Sequence, residues 1–206
     1  MARTVQDQGA FRALWTFDRE AYLTHLKRLP VSDRVSRFQY PATDAQLEAH
    51  VDGFLKGGGH VIGWFVDGEL RGASEVALLS DGESAEAAFE VEAPWRGRGI
   101  GTELVGRALL WARNRGARRL LIHTTRRNVA MLRAATQRGA MFEFDLAEAD
   151  GVIEAPRPSW RSHLREVRFE EEGVLHWLRD RALRRWRRYW GMAAPDETAA
   201  RTETSS

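Results

Sequence analysis

Apolar residues along this chain fall into two periods, and the switches between them lay out its elements. Phe11 to Phe17 is apolar and aromatic enough for a first strand. Asp18 then stands as an N-cap before a helix with Tyr22, Leu23, Leu26 and Leu29 on one face, stopped by Pro30. Residues 31–38 read as a loop leading to Pro41. Thr43 or Asp44 caps a second helix carrying Leu47, Val51, Phe54 and Leu55, ended by three glycines. A meander follows, from His60 to Val66, through an Asp67-Gly68 hairpin turn, and along Glu69 to Leu79. After Asp81-Gly82 comes a strand to Glu92, in which Ala87, Phe89 and Val91 alternate with Glu86, Ala88, Glu90 and Glu92.

Helical spacing returns at Leu104, Val105, Ala108, Leu109, Trp111 and Ala112, with Gly116 as C-cap. Arg118 to Thr125 supplies a buried strand, Asn128 to Arg138 a helix closed by Gly139, and Ala140 to Leu146 a further strand. A short strand near Val152-Ile153 meets Pro156 and Pro158, which break the pattern. Glu171 to Trp190 reads as a helix with Leu175, Leu178, Ala182, Trp186 and Tyr189 on one side. Arginines 179, 181, 184, 185, 187 and 188 crowd its other face. The order is that of an α/β domain with a mostly antiparallel, mixed sheet.

With 206 residues the chain suits one domain and a proper core. The expected organisation is a flexible start (1–9), a main domain (10–150), a C-terminal extension with the basic amphipathic helix (151–192), and a disordered tail (193–206). A formal charge of +2 does not announce a nucleic-acid binder, although arginine supplies nearly all the cations; Lys27 and Lys56 are the only lysines. Without cysteine there is no disulfide, thiolate metal site or Cys nucleophile, and no metal is expected. No apolar signal core or membrane-length run is present, so cytoplasmic residence is the expectation. The solvated basic face of the last helix is the plain reading. Contact with nucleic acid or an acidic surface is the other.

Chemistry concentrates in Arg96-Gly97-Arg98-Gly99-Ile100-Gly101-Thr102, where a strand turns into the long helix. Helix N-termini leave backbone N–H groups unpaired and carry partial positive charge. Glycines let an anionic group approach that backbone, and two arginines add forked donors, so the loop suits a pyrophosphate. It lacks the Gly-Lys-Ser/Thr ending of a P-loop and the third glycine of a dinucleotide fingerprint.

Arg96-x-x-Gly99-x-Gly101 resembles the Arg/Gln-x-x-Gly-x-Gly/Ala coenzyme A motif of the GNAT N-acetyltransferase superfamily. The resemblance spans residues 10 to 147, and Asn128-Val129-Ala130-Met131-Leu132-Arg133 through Gly139 resembles that family's later segment. Leu29-Pro30, Asp33-Arg34 and Arg37-Phe38 look like the bacterial protein-lysine acetyltransferase subgroup, as does Met131-Leu132-Arg133. The stretch after Asp150 matches no such motif. The resemblance implies the GNAT fold, in which parallel strands 4 and 5 splay into a V and acetyl-CoA is the cosubstrate.

It further implies that the backbone at Phe89 and Val91 pairs with the pantetheine arm, with the Val91 N–H polarising the thioester. Arg96 through Thr102 would hold the pyrophosphate. Asn128, Met131 and Arg133 would stand beside the cosubstrate, Asn128 also serving as N-cap. The amine attacks directly, so no enzyme nucleophile is required. Glu86 falls where the protein-lysine subgroup places a strand glutamate as general base; Glu90, on the same face unless a bulge intervenes, is the second candidate. Solvated edge carboxylates are the plain alternative for both, and His123 reads as structural. Ala135 stands where the family often carries a Tyr acid, and Gly139-Ala140 replaces its Gly-Phe. The expected acceptor is an amine, by subgroup resemblance a protein lysine. Small-molecule amines or a non-catalytic acyl-CoA sensor are the rival readings.

Overall fold

A computed structural model describes residues 9–189. The expected loose start before Gly9, Trp190 and the expected disordered tail lie outside the described residues. Seven strands form one sheet in the order β1-β2-β3-β4-β5-β7-β6. They are β1 (Gly9–Ala13), β2 (His60–Val66), β3 (Glu69–Leu78), β4 (Ser84–Val91), β5 (Arg119–Thr125), β6 (Met141–Asp145) and β7 (Glu148–Glu154). The helices are α1 (Arg19–Arg28), α2 (Val31–Phe38), α3 (Asp44–Lys56), α4 (Ile100–Asn114), α5 (Val129–Thr136) and α6 (Trp160–Tyr189).

Alternation along the strands sorts the sheet into two faces. One face carries Val61, Phe65, Leu70 and Ala73 into a core with Tyr22, Leu23 and Leu26 of α1 and Leu47 and Val51 of α3. The other carries Ala85, Ala87, Leu120 and Ile122 against Val105, Ala108, Trp111 and Ala112 of α4 and Met131 and Ala135 of α5. Trp64 and Ile62 meet Ile100 and Leu104 on that same side. All neighbouring strands run antiparallel except β4 and β5. That parallel pair joins only at Ser84–Arg119, Ala85–Leu120 and Glu86–Leu121. Beyond Glu86 the two strands part, which opens the expected V.

Several elements depart from the sequence reading. Residues 31–38 are helical rather than a loop. Pro30 is their N-cap, and Gln39, with φ of 64°, closes them in the left-handed region. Arg34 holds α2 down by donating to the carbonyls of Leu29, Ala42 and Lys27 at 3.1, 3.1 and 2.7 Å. The first strand stops at Ala13. A 3-10 turn over Thr16–Asp18 follows, pinned by the buried Arg12–Asp18 pair at 2.6 Å. β7 is a full strand inserted between β5 and β6, paired along its whole length.

The C-terminal helix begins at Trp160, not Glu171, where Ser159 and Ser162 cap each other's backbone N–H at 2.9 and 3.2 Å. It also docks by the face opposite to the apolar one expected: Leu175 and Leu178 are 67% and 50% exposed. Gly173 explains the choice. A Cβ there would stand 2.6 Å from Arg12 Cβ and 2.8 Å from the Phe11 carbonyl oxygen, so only glycine lets α6 lie so close to β1. Trp177, one turn on, closes against Trp15 and Phe17 at ring separations of 6.2 and 5.9 Å. Side chains from Leu183 onward, including Trp186 and Tyr189, lie outside the described residues.

Candidate active site

The V opens where β4 leaves β5, and backbone alternation decides what β4 offers there. Glu92 N–H donates to Arg71 O at 3.0 Å and Leu79 N–H to Ser84 O at 2.9 Å. Between these anchors the β3–β4 register runs without a shift, so no bulge interrupts β4. Hydrogen-bonded pairs alternate in an antiparallel ladder. The even residues, Glu86, Ala88 and Glu90, therefore face their backbone groups toward β3. Ala87, Phe89 and Val91 turn theirs to the side β5 has vacated. An extended polar chain can complete that edge as a strand would. The Phe89 and Val91 side chains meanwhile pack into the core on the α4 side.

The strand ends at a 3-10 turn, Ala93–Trp95, and the glycine loop follows. Gly97 and Gly99 have φ of 74° and 81°, a region open to glycine and costly for other residues. Gly99 is the N-cap of α4, and the helix's first bond runs from Glu103 N–H to its carbonyl at 3.0 Å. The N–H groups of Ile100, Gly101 and Thr102 consequently lack an intrahelical acceptor. Arg96, Gly97, Arg98 and Gly99 are all exposed around them. Arg96 is partly engaged: its Nε donates to Val91 O at 2.8 Å and its guanidinium pairs with Asp33 of α2. Arg98 lies over the Trp95 ring, 4.9 Å from its centroid.

A diphosphate fits this loop, since three unpaired donors, two glycines and two arginines converge on one exposed turn. Not every residue expected there can touch a ligand by its side chain. Ile100 is buried against Trp64 and Leu104, so only its N–H faces the loop. Met131 sits in the α4 core, and its N–H is taken by the Asn128 side chain at 3.2 Å. Asn128 is thus the N-cap of α5, while its amide also donates to Thr124 Oγ1 at 3.2 Å. The Thr102 hydroxyl donates to Gln137 at 2.9 Å, tying α4 to the end of α5. Arg133 is exposed on α5.

The unbroken register keeps Glu86, Ala88 and Glu90 on the face covered by α1, α2 and α3. Glu86 is exposed, opposite Leu121 at the last joined pair of the V. Glu90 is buried. Between them only the small Ala88 faces outward, leaving a gap flanked by two carboxyl groups. His123 lies on the far strand, exposed, and its Nδ1 bonds Asp150 at 2.6 Å, a structural partnership within the sheet.

Around Glu90 the fold assembles groups that the sequence reading did not connect with it, Glu75 and His50 among them not singled out at all. Arg37 Nε donates to Glu90 Oε2 at 3.0 Å, and its other arm pairs with Glu75 Oε2. The Tyr22 hydroxyl donates to Glu75 and stands 3.4 Å from Glu90 Oε1. His50 Nε2 meets Glu75 Oε1 at 2.7 Å. Burial and the neighbouring Glu75 charge push the Glu90 carboxyl up to about 8, against the pull of Arg37. Glu75 goes the other way: burial opposes ionisation, but Arg37 and His50 outweigh it and hold the carboxyl below its usual value. Burial also works against the Arg37 charge, and the two carboxylates overcome it, raising that guanidinium further. The visible signal was Glu75 directly before Val76 in β3 and Glu90 between Phe89 and Val91 in β4, each a glutamate at a buried strand position.

A second cluster fixes the end of β4. Glu92 accepts from His25 Nδ1, Arg28 Nε and Arg71 at 2.9, 2.8 and 2.9 Å. Burial pushes His25 down, so the imidazole is neutral and its Nδ1–H is the donor. Among the described residues, no group of three or more His, Cys, Asp or Glu is placed to hold a metal ion. Nor is any described helix long and apolar enough to cross a membrane.

Comparison with known proteins bears on this arrangement. The sequence model of the Acetyltransferase (GNAT) family matches residues 20–140. No curated protein sequence matches significantly. Among solved structures, the GNAT domain of S. lividans PAT superposes with a TM-score of 0.62 at 19% identity, covering 70% of this chain and 89% of that one. Spermidine N-acetyltransferase from Vibrio cholerae, in complex with CoA and spermine, gives 0.59 at 17% identity over 73% and 97%. An aminoglycoside acetyltransferase in complex with coenzyme A gives 0.55 at 16% identity over 76% and 98%.

Proposed function

The chain belongs to the GNAT family of acetyltransferases, for which acetyl-CoA is the cosubstrate, and from that premise we propose that it acetylates a primary amine held over Ala88. One observation carries the reading: the Ala87–Val91 backbone edge left open by β5 leads straight to the glycine loop, with Glu86 and Glu90 facing the acceptor side. The loop donors and Arg98 hold the diphosphate. Arg96 joins them by exchanging its Asp33 partner for phosphate oxygens. The N–H of Phe89 or Val91 points to where the thioester oxygen gathers charge.

The amine reaches the cleft as an ammonium ion, attracted by the exposed Glu86, while Glu90, which holds its proton up to about pH 8, is the second candidate base. One of them takes a proton, and the freed lone pair attacks the thioester carbon. Ala135 offers no acid to the departing sulfur, so it leaves as thiolate or is protonated by water. The acceptor we favour is a lysine side chain of a protein, on the strength of the α1–α2 stretch and Met131-Leu132-Arg133. In the structure Arg34 and Arg37 of that stretch anchor α2 beside the cleft, which makes them builders of the acceptor wall. Small amines such as those in the names of two superposed enzymes form the second reading.

The test is release of free thiol from acetyl-CoA by the purified chain, with lysine-rich proteins, polyamines and aminoglycosides as acceptors. Release with protein acceptors supports the first reading and release with small amines the second. Acetyl-CoA binding without release from any acceptor would discard both in favour of a sensor. Glu86→Gln and Glu90→Gln, each assayed with the productive acceptor, identify which carboxylate takes the proton.

A further inference from the structure

The C-terminal helix keeps an apolar side that no other described element covers. Trp160, Leu164, Val167, Val174, Leu175 and Leu178 are 70, 52, 48, 37, 67 and 50% exposed. At about 100° of rotation per residue they share one arc roughly 100° wide along α6. The opposite side is the docked one. There Gly173 lies against β1, Phe169 under the Arg107 guanidinium of α4, and Trp177 on Trp15 and Phe17. A helix held by one face and apolar on the other presents a surface for a partner.

The charges beside the stripe select that partner. Glu170 and Arg181 flank it on one side, Glu172 and Arg179 on the other, and all four are exposed. None of the four makes an ion pair among the described residues. Arg179 donates to His176 at 3.0 Å, and Arg181 lies over the Trp177 ring, 5.1 Å from its centroid. The two Glu–Arg spacings share a midpoint, between Leu175 and His176. A two-fold axis through that point brings each glutamate opposite the arginine of an antiparallel copy on both flanks. Parallel pairing would instead set glutamates beside glutamates and arginines beside arginines.

We propose that α6 is a dimerisation helix, through which two copies of this chain pair antiparallel, in a register set by Glu170–Arg181 and Glu172–Arg179 across the axis. The same axis lays Leu175 on Leu175, Leu178 on Val174, and Val167 near Ala182 of the second copy. Glu171, the charge within the stripe, comes level with the turn that carries the second copy's Arg179 and Arg181, which favours this register over its neighbours. Docked and apolar faces are half a turn apart, so each domain stands on its own side of the helix pair. The cleft at β4, three strands from β1, stays open. The pairing does not depend on which amine is acetylated.

The test is sedimentation equilibrium of the full chain. Wild type should have twice the mass of one chain, and Leu175→Asp should weaken association at least about a hundredfold by burying an unpaired charge. Glu170→Arg with Glu172→Arg makes all four flanking positions positive, and Arg179→Glu with Arg181→Glu makes them all negative. Each double variant should associate at least about tenfold more weakly than wild type. Mixing the two should restore a dimer, one copy of each, because every facing pair is again of opposite charge. Mixing cannot repair a misfolded chain, so that recovery reports the register. A monomeric wild type overturns the proposal, as does a dimer that both double variants keep, or a mixture that stays monomeric. A wild-type monomer that binds phosphatidylserine vesicles or duplex DNA in a salt-dependent way assigns α6 to an acidic partner and overturns it as well.

Discussion

Replacing Glu90 by glutamine should change stability in a way that depends on pH, and the structure gives both sign and size. The folded-state carboxyl titrates at about 8 and the unfolded one near its ordinary 4.5. Below pH 4.5 both states hold the proton, and the stability Glu90 contributes is whole. Between the two values only the unfolded chain ionises freely. Stability therefore drains away as pH rises, by about 1.4 kcal/mol per unit, and levels off above 8. The full span sets a ceiling of roughly 5 kcal/mol. Arg37 and Glu75 readjust as the charge appears, so about 2–4 kcal/mol should be measurable. Glutamine never ionises, keeps a carbonyl for Arg37, and presents an amide toward Tyr22. The variant should thus gain on wild type steadily from pH 5 to pH 8.5, followed by urea denaturation at each pH with one m-value. A difference that stays within about 0.5 kcal/mol across that range would refute the buried, proton-holding Glu90.

Other consequences are as specific. Gly99→Ala forces a Cβ into the left-handed region and should cost about 1–2 kcal/mol of stability, with a clear loss of acetyl-CoA affinity by calorimetry; undiminished affinity counts against the cradle. Glu86→Gln should slow turnover while leaving that affinity intact, because Glu86 lies away from the loop. Gly173→Ala puts a Cβ 2.6 Å from Arg12 Cβ and should cost about 1–3 kcal/mol as α6 shifts outward. Tryptophan emission should move to the red as Trp177 leaves Trp15 and Phe17; an unchanged spectrum and melting point would show that α6 is held elsewhere.

What could be read from the sequence was whatever is local. Gly97, Gly99 and Arg96 adjoin one another, and their meaning survives without the fold. The alternation of Ala87, Phe89 and Val91 correctly set the two faces of β4. The helix over residues 31–38 escaped because Pro30 reads as a stop, although Val31, Val35 and Phe38 recur at helical spacing. Its stability comes from Arg34 and Arg37, whose partners on other elements no window contains. The cluster on Glu90 is non-local in the same sense: Tyr22, Arg37 and Glu75 are distant in the chain and meet only when α1 and α2 cross the sheet. On α6 the pattern itself misled. Leu175 and Leu178 form the apolar stripe, but a glycine and a tryptophan decide which side docks.

The three residue pairs that join β4 to β5 have a mechanical meaning. The sheet is two leaves, one backed by α1 and α3 and the other by α5, and the cleft is the line along which they diverge. α4 packs against β2 and β3 as well as β4 and β5, so it is the pin that crosses from leaf to leaf. Its first turn is also the cradle. On the proposed function, a ligand held there touches the pin while lying between the leaves. On that reading, the loop that would hold the diphosphate and the gap over Ala88 are thus tied together through one helix that touches both leaves.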